Sequence, residues 1–247
     1  MFKLFAHIGK YILLLGSTLS RPEKPSMYLK EVFRQIYEIG IGSLGIVAII
    51  STFMGAVTAV QFGTQLLEIG FIPMWWMGTI LRDSMVLELA PTITALLLAG
   101  KVGSSISTEL GTMRISEQID ALEIMGVNTP TYLILPKIIG ALVIMPILII
   151  ASCFLGILGG LLAGMLSGFF HPSEFAKGLQ DDFDPHYFEI MFIKSIVFAF
   201  IITSISCYQG YNVKGGALEL GQASTRAVVF SNIVIIIANY IIAQMFL

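Results

Sequence analysis

Long stretches without charged residues constrain this chain more than any other feature of its sequence. No Asp, Glu, Lys or Arg occurs between Glu38 and Glu68, between Lys137 and Glu174, or in residues 227–247. A helix rises about 1.5 Å per residue, so about 20 apolar residues cross the roughly 30 Å hydrocarbon layer of a membrane. We therefore predict an all-α integral membrane protein with five transmembrane helices, at about residues 41–62, 71–100, 138–170, 188–208 and 227–247.

The composition supports this prediction and excludes several classes of protein. Hydrophobic residues make up 56% of the 247 residues and charged residues only 12%, about half the charged share of a typical soluble domain. Too few ionic groups remain to cover a surface in water. The net charge of −2 excludes a protein that binds nucleic acid through a basic surface. Cys153 and Cys207 both lie in apolar runs, which excludes a disulfide framework.

The positions of lysine and arginine predict the orientation of the spans. Six of these residues lie within residues 1–40, and others lie in the connections after the second and fourth spans. The opposite side carries only Lys177. Because positive charge accumulates on the cytoplasmic side of membrane proteins, we expect a cytoplasmic N-terminus and a C-terminus on the outer side of the membrane.

The first 40 residues are predicted to form a separate region. The segment FKLFAHIGKYILLLG is too short to span a membrane, and Lys10 divides its apolar run. A signal peptide is one interpretation, but an amphipathic helix lying at the membrane surface fits better. A second short helix at residues 28–37 would lead into the first span. The chain then divides into N-terminal interfacial helices, residues 1–40, and a five-span domain, residues 41–247.

Two spans contain rows of small residues at four-residue intervals. Each row lies on one helix face, where another backbone can approach closely. The rows indicate either a moving or dimerising helix interface or ordinary packing within the helix bundle. They consist of Ser51, Gly55, Ala59 and Gly63 in the first span and of Gly156, Gly160, Gly164 and Gly168 in the third.

The connection between the second and third spans predicts a short helix with one acidic face. Ser116 can cap this helix and Gly126 can end it, which gives a helix at residues 116–126. Its apolar residues, Ile119, Leu122 and Met125, recur at three-residue spacing. A helix that lies on the anionic inner leaflet should be basic, so the acidic face favours docking in a groove of a cytoplasmic protein. The alternative is a solvated helix without a partner. The acidic residues are Glu117, Asp120 and Glu123.

Two long segments of the sequence resemble a known family. They are ELAPTITALLLAGKVGSSISTELGTMRISEQIDALEIMGVNTPTYLILPK, residues 88–137, and GYNVKGGALELGQASTRAVVFSN, residues 210–232. They are similar to signature blocks of the MlaE/YrbE family, the permease subunits of MCE-type ABC transporters that move lipids at bacterial inner membranes. The likeness covers nearly the whole chain from about residue 27. It departs from the family pattern at Leu87, where many members have arginine, and at Ala90, where glycine is usual.

The resemblance implies a set of partners and a substrate. We expect a homodimer in the cell inner membrane with a cytoplasmic ABC ATPase, a periplasmic MCE-domain protein and a phospholipid substrate in a cavity at the dimer interface. The first or the fifth span should lie at the twofold axis. The sequence has no G-x-x-x-x-G-K-[ST] phosphate loop, so ATP and Mg should bind the partner ATPase and this chain should be a non-catalytic permease subunit without a cofactor. It also lacks a chloroplast-type transit peptide, which favours a Gram-negative bacterium.

Charged residues inside the spans point to the substrate path, because such charges are costly in lipid. We expect Glu88 and Lys194 to form a pair that faces the lipid cavity. Pro91 should leave a backbone carbonyl near Leu87 without its usual donor and make this region locally polar. Arg82 and Asp83 either line the cavity or reach the outer interface.

Two sets of candidate site residues result. The residues expected to contact the ATPase are Glu117, Gln118, Asp120, Leu122, Glu123 and Met125. The cavity residues are expected to be Leu67, Phe71, Met74, Trp75, Met77 and Leu81 together with Glu88 and Lys194, although Trp75 is also suited to anchoring at the membrane interface.

Two other classes of membrane protein remain as alternatives. A membrane-embedded enzyme needs converging acid–base or metal groups, and Ser104 and Ser105 have no histidine at a suitable depth to activate them. The acidic residues at 181–189 do not have the spacing of a known calcium loop. A secondary transporter usually has two matching halves, and these five spans contain no repeat. We therefore expect neither a catalytic nor a metal site.

Overall fold

The computed structural model describes residues 2–18 and 25–246, and these ranges contain helices and no β-strand. Five helices in this part of the chain are long and apolar enough to cross a membrane, which confirms the prediction of an all-α membrane protein with five spans. The helices are α1 (Phe2–Thr18), α2 (Pro25–Ile69), α3 (Trp76–Ile115), α4 (Gln118–Ile124), α5 (Thr129–Leu133), α6 (Leu135–Leu166), α7 (Pro172–Gln180), α8 (His186–Tyr211) and α9 (Ala217–Phe246).

Several helices extend beyond the spans predicted from hydropathy. Helix α2 continues without a break from Pro25 to Ile69, so the predicted short helix at 28–37 and the first span are one helix, and residue 40 is not a helix boundary. Helix α3 ends at Ile115 rather than near Gly100. The reason is that a charged residue such as Lys101 ends an apolar run without interrupting the hydrogen bonds of the helix backbone.

Helix α3 contains two π-helical segments, Met85–Ile93 and Ala99–Gly103. Pro91 lies inside the first of them. Proline has no backbone N–H and therefore cannot make the hydrogen bond to the residue four positions earlier, which favours a locally wider turn. Segments of this kind occur frequently at functional sites. The first one also contains Glu88.

The chain divides into two compact units. The first consists of the described residues within Met1–Gly42, Leu96–Met145 and Val197–Ala238, and the second of those within Ser43–Ala95, Pro146–Ile196 and Asn239–Leu247. The second unit has an apolar core to which α3 contributes Met77, Leu81 and Met85, all buried. The stacked rings of Phe170 and Phe175, 5.0 Å apart, complete this core.

The two rows of small residues pack against each other inside the second unit. A Cβ atom at Gly55 would lie 1.8 Å from the carbonyl oxygen of Gly156, and one at Gly160 would lie 3.1 Å from that of Gly55. The backbones of α2 and α6 therefore touch, as small-residue rows permit. The row in the first span therefore packs against another helix of the same chain, which corresponds to the interpretation as ordinary packing within the helix bundle.

Helix α1 is bound to other parts of the first unit. The hydroxyl of Tyr11 donates to Ser204 Oγ at 2.8 Å, and the hydroxyl of Thr131 donates to the carbonyl of Ser17 at 3.0 Å. Burial raises the pKa of Tyr11, so its hydroxyl stays protonated at neutral pH. One side of α1 is thus attached to the protein, while the apolar side chains that point away are exposed, as an interfacial helix requires. These exposed side chains include Ile12 and Leu13.

Candidate functional site

An ion pair with a buried lysine lies at the π-helical segment of α3. The Nζ atom of Lys194 is 2.6 Å from Oε1 of Glu88 and donates to the carbonyl of Leu87 at 2.8 Å. The Lys194 side chain is 0% exposed, whereas that of Glu88 is 42% exposed. The structure thus contains the predicted pair, and it is asymmetric: the lysine is enclosed by protein and the carboxylate is partly open.

The local backbone explains why Lys194 is tolerated at this position. A buried ammonium group needs both an opposite charge and hydrogen-bond acceptors. Pro91 cannot donate a hydrogen bond to the carbonyl of Leu87, four residues earlier, and Lys194 donates to that carbonyl instead. The sequence therefore supplies a carboxylate and an available carbonyl at adjacent positions, Glu88 and Leu87.

Asn239 of α9 completes the group, which we call the Glu88 cluster: Glu88, Thr92, Lys194 and Asn239. The Nδ2 atom of Asn239 donates to Oε2 of Glu88 at 2.8 Å, and Thr92 Oγ1 lies 3.4 Å from the same oxygen. Oδ1 of Asn239 is buried and has no hydrogen-bond partner among the residues described. Sequence reasoning missed Asn239; the available signal was an amide inside an otherwise apolar span.

The geometry of the Glu88 cluster sets what it can bind. Both oxygens of Glu88 are engaged from within the protein, and the charge is balanced by Lys194. The exposed part of the carboxylate can accept hydrogen bonds from a polar group that approaches from the open side. The cluster offers a polar contact of low net charge at membrane depth rather than a strongly charged pocket.

A second pair of the same design lies in the first unit. The Nζ atom of Lys137 is 2.6 Å from Oε2 of Glu109, and here too the lysine side chain is almost fully buried while the glutamate is 41% exposed. Both glutamates belong to α3. Because Lys137 lies at the end of an apolar run, sequence reasoning treated it as a flanking charge and missed this pair.

Part of the predicted cavity wall is not where the sequence placed it. Met77 and Leu81 are fully buried in the core of the second unit, so they do not line an open surface. Leu67 and Phe71 are exposed, and Met74 and Trp75 are partly buried. Apolar side chains have the same hydropathy whether they face lipid, a cavity or a core, so the sequence could not separate these cases.

Arg82 makes contacts within the protein that the sequence did not indicate. It is buried, and its guanidinium donates to the carbonyls of Leu179 and Asp181 at 2.8 Å and of Asp182 at 3.2 Å. Its Nε atom donates to Asp83 at 2.8 Å. Arg82 therefore binds the carbonyls at the C-terminal end of α7, where a helix favours positive charge.

The short acidic helix α4 is present, but its start differs from the predicted one. It covers Gln118–Ile124 rather than residues 116–126, and Glu117 precedes it with a left-handed φ of 59°. The hydroxyl of Ser116 does not cap α4; it donates to the carbonyl of Thr112 at 2.8 Å, because α3 continues to the preceding residue. Gly126 ends the helix as expected, with a φ of 83°.

The side chains of α4 divide between an inner and an outer face. Ile119 is completely buried, and Leu122 and Asp120 are partly buried. The most exposed apolar side chain of α4 is that of Ile124, at 88%. Sequence reasoning missed it because it followed the three-residue series from Ile119. The exposed residues of the predicted contact set are Glu117, Gln118, Glu123 and Met125.

Comparisons with known proteins agree with this architecture. The sequence pattern of the family Permease MlaE matches residues 32–245. A probable ABC transporter permease protein of Rickettsia bellii is 36% identical over 99% of this chain and 93% of its own length. A probable ABC transporter permease protein of Synechocystis sp. is 33% identical over 87% of this chain and 81% of its own length. The Arabidopsis thaliana protein TRIGALACTOSYLDIACYLGLYCEROL 1, chloroplastic, is 30% identical over 95% of this chain and 66% of its own length. This chain therefore belongs to the MlaE permease family and is a multi-pass ABC transporter permease.

Proposed function

We propose that this permease moves phospholipid between the inner and outer membranes of a Gram-negative cell, driven by a separate ATPase. The main observation in support of a lipid substrate is the Glu88 cluster, in which a half-exposed carboxylate lies inside a span and pairs with a buried lysine. A phospholipid in transit needs a polar contact for its head group and an apolar surface for its tails. The exposed Leu67 and Phe71 of the same unit are suited to the tails. The name of the Arabidopsis relative is that of a lipid, which supports a lipid substrate.

Helix α4 is the proposed docking element for the ATPase. An ABC permease requires an ATPase partner, and this sequence has no phosphate loop of its own. The outer face of α4 offers two exposed apolar side chains, Ile124 and Met125, beside the polar Glu117 and Gln118. Apolar anchors flanked by polar groups are typical of a helix that binds in a groove.

A homodimer with α9 at its twofold axis fits the exposed surfaces best. Only 17% of the most apolar 18-residue window of α9 is buried, against 33% for α2. Because the small-residue row of α2 is already packed on α6, α9 is the better of the two predicted candidates. One exposed stripe of α9 runs through Gly221, Thr225, Val229, Ile233 and Ile236.

The proposed location is the inner membrane, with the N-terminus and α4 in the cytoplasm. The lysine and arginine residues of the N-terminal 40 residues support this orientation. The C-terminus is then periplasmic, and a periplasmic MCE-domain protein would accept or deliver the lipid.

Purification of a tagged permease with its bound proteins tests the proposal. We expect an ABC ATPase in the purified complex, and ATP-dependent lipid transfer when the complex is reconstituted in vesicles that contain labelled phospholipid. Transport driven by an ion gradient without an ATPase would instead establish a secondary transporter. Turnover of a substrate by the permease alone would establish a membrane-embedded enzyme.

Docking on α4 makes a specific prediction. The double variant Glu117→Lys/Ile124→Ala should reduce co-purification of the ATPase by about tenfold or more, since it removes an exposed anchor of the kind that typically contributes over about 1 kcal/mol and reverses a charge beside it. The control is Ile147→Ala, which truncates an exposed isoleucine of α6. Equal recovery of the ATPase with both variants, measured by quantitative immunoblotting, would rule out α4 as the docking site.

A further inference from the structure

Side chains from three other segments of the first unit converge on the carboxylate of Glu123. Oε1 of Glu123 accepts hydrogen bonds from the hydroxyl of Tyr211 at 2.9 Å and from that of Thr129 at 3.1 Å. The two hydroxyl oxygens are themselves only 2.7 Å apart. Nη1 of Arg114 lies 3.9 Å from the same carboxylate oxygen. Glu123 belongs to α4, and its partners lie in the last turns of α3 and α8 and at the start of α5.

Arg114 strengthens this arrangement from the end of α3. Its Nη1 atom donates to Asp120 of α4 at 2.6 Å, and its guanidinium lies 5.8 Å from the centre of the Tyr211 ring. A guanidinium at this distance is attracted to the face of the ring. Asp120 and Glu123 of α4 are thus both bound by side chains of other helices.

Helix α4 depends on these contacts for its position. It has only seven residues, far below the roughly 12–15 that an isolated helix needs for stability in water. The buried Ile119 is its apolar contact with the unit, and the polar contacts at Asp120 and Glu123 fix its direction. The outer face, with Ile124 and Met125, remains free for a partner.

We propose that Arg114, Glu123, Thr129 and Tyr211 form a coupling latch that makes α4 move together with the ends of α3 and α8. This rests on the proposed function, in which the ATPase pulls or pushes on the outer face of α4. Helix α3 also carries Glu88, and α8 also carries Lys194. The latch therefore joins α4 to the two helices whose residues form the ion pair of the Glu88 cluster. These four residues are positioning residues, because they act on the substrate path through the helices.

The variant Tyr211→Phe tests the latch. It removes the hydroxyl shared by Glu123 and Thr129 and keeps the ring next to Arg114. We expect the ATPase to co-purify as with the parent protein, and the amount of lipid moved per ATP hydrolysed to fall about fivefold, the effect of losing one well-placed hydrogen bond. The matched control is Tyr37→Phe, which removes a hydroxyl from an exposed tyrosine of α2 and should leave the ratio unchanged.

A measurement on the permease alone keeps the test independent of the partner. The two native cysteines are buried, so a spin label attached to Gln118→Cys reports selectively on α4. We expect greater label mobility with Tyr211→Phe than with Tyr37→Phe. The pair Tyr211→Phe/Glu123→Ala should behave like Glu123→Ala alone, because Glu123→Ala already removes the acceptor of the Tyr211 hydroxyl.

Each outcome separates the latch from the proposed function. Absence of an ATPase from the parent complex would overturn the proposed function, whereas the label mobility would still test the contact between α4 and α8. Loss of the ATPase from Tyr211→Phe alone would overturn the latch, since Tyr211 would then be part of the docking surface. An unchanged transport ratio, or unchanged mobility, would overturn it as well.

Discussion

Replacing Glu88 with alanine should destabilise the permease and stop lipid transport together. Lys194 is completely enclosed by protein, so the variant leaves a buried ammonium group with only the carbonyl of Leu87 as an acceptor. Removing one member of a buried ion pair typically costs about 3–5 kcal/mol of stability, and because the carbonyl of Leu87 remains we expect a loss of about 3 kcal/mol. We expect low expression and a lower melting temperature of the purified protein.

A paired replacement separates stability from transport at this site. In Glu88→Gln/Lys194→Met both charges are removed, which leaves no uncompensated ion and should restore expression. Lipid transport should still fall by about tenfold or more, since the half-exposed carboxylate is gone. The measurements are melting temperature in detergent and ATP-dependent lipid transfer. Normal transport by this pair, together with no capture of phospholipid by photo-cross-linkers at Leu67 and Phe71, would place the lipid path elsewhere.

The sequence identified the charged part of this site because charge inside a span is rare and costly. Glu88 and Lys194 were therefore visible as candidates, and Pro91 indicated the available carbonyl. Asn239 was not visible, because a neutral amide is compatible with ordinary packing in a span. Its role depends on the position of α9 against α3 within the second unit, which no spacing rule provides.

The ends and faces of the helices were less predictable than their number. Hydropathy ends where charge begins, so the predicted end of the second span fell at Gly100 although the helix continues to Ile115. The faces of α4 were assigned from a three-residue series, whereas Ile119 is buried and Ile124 is exposed. Such assignments require knowledge of which neighbour covers each face, and this information lies in the tertiary contacts.

Replacing Gly55 with alanine should be among the most damaging single-methyl changes in this protein. The added Cβ would lie 1.8 Å from the carbonyl oxygen of Gly156, 2.5 Å from its carbonyl carbon and 2.8 Å from its Cα. All three are backbone atoms, so relief requires α2 and α6 to move apart. Overpacking of a core typically costs about 1–3 kcal/mol, and we expect at least the upper value here, measured as a lower melting temperature in detergent.

A glycine of the same helix provides the control with the opposite sign. Among the residues that the structure describes, none outside the helix lies within 4 Å of a Cβ placed at Gly45, so Gly45→Ala should be neutral or stabilise α2 by about 0.5–1 kcal/mol. The contrast between Gly55→Ala and Gly45→Ala also tests whether the small-residue row of α2 packs on α6 or on a second copy of the chain. Packing on α6 predicts a lower melting temperature for Gly55→Ala with an unchanged oligomeric state. A normal melting temperature of Gly55→Ala together with a shift from dimer to monomer would contradict this. The row would then lie at the contact between two copies of the chain rather than between α2 and α6.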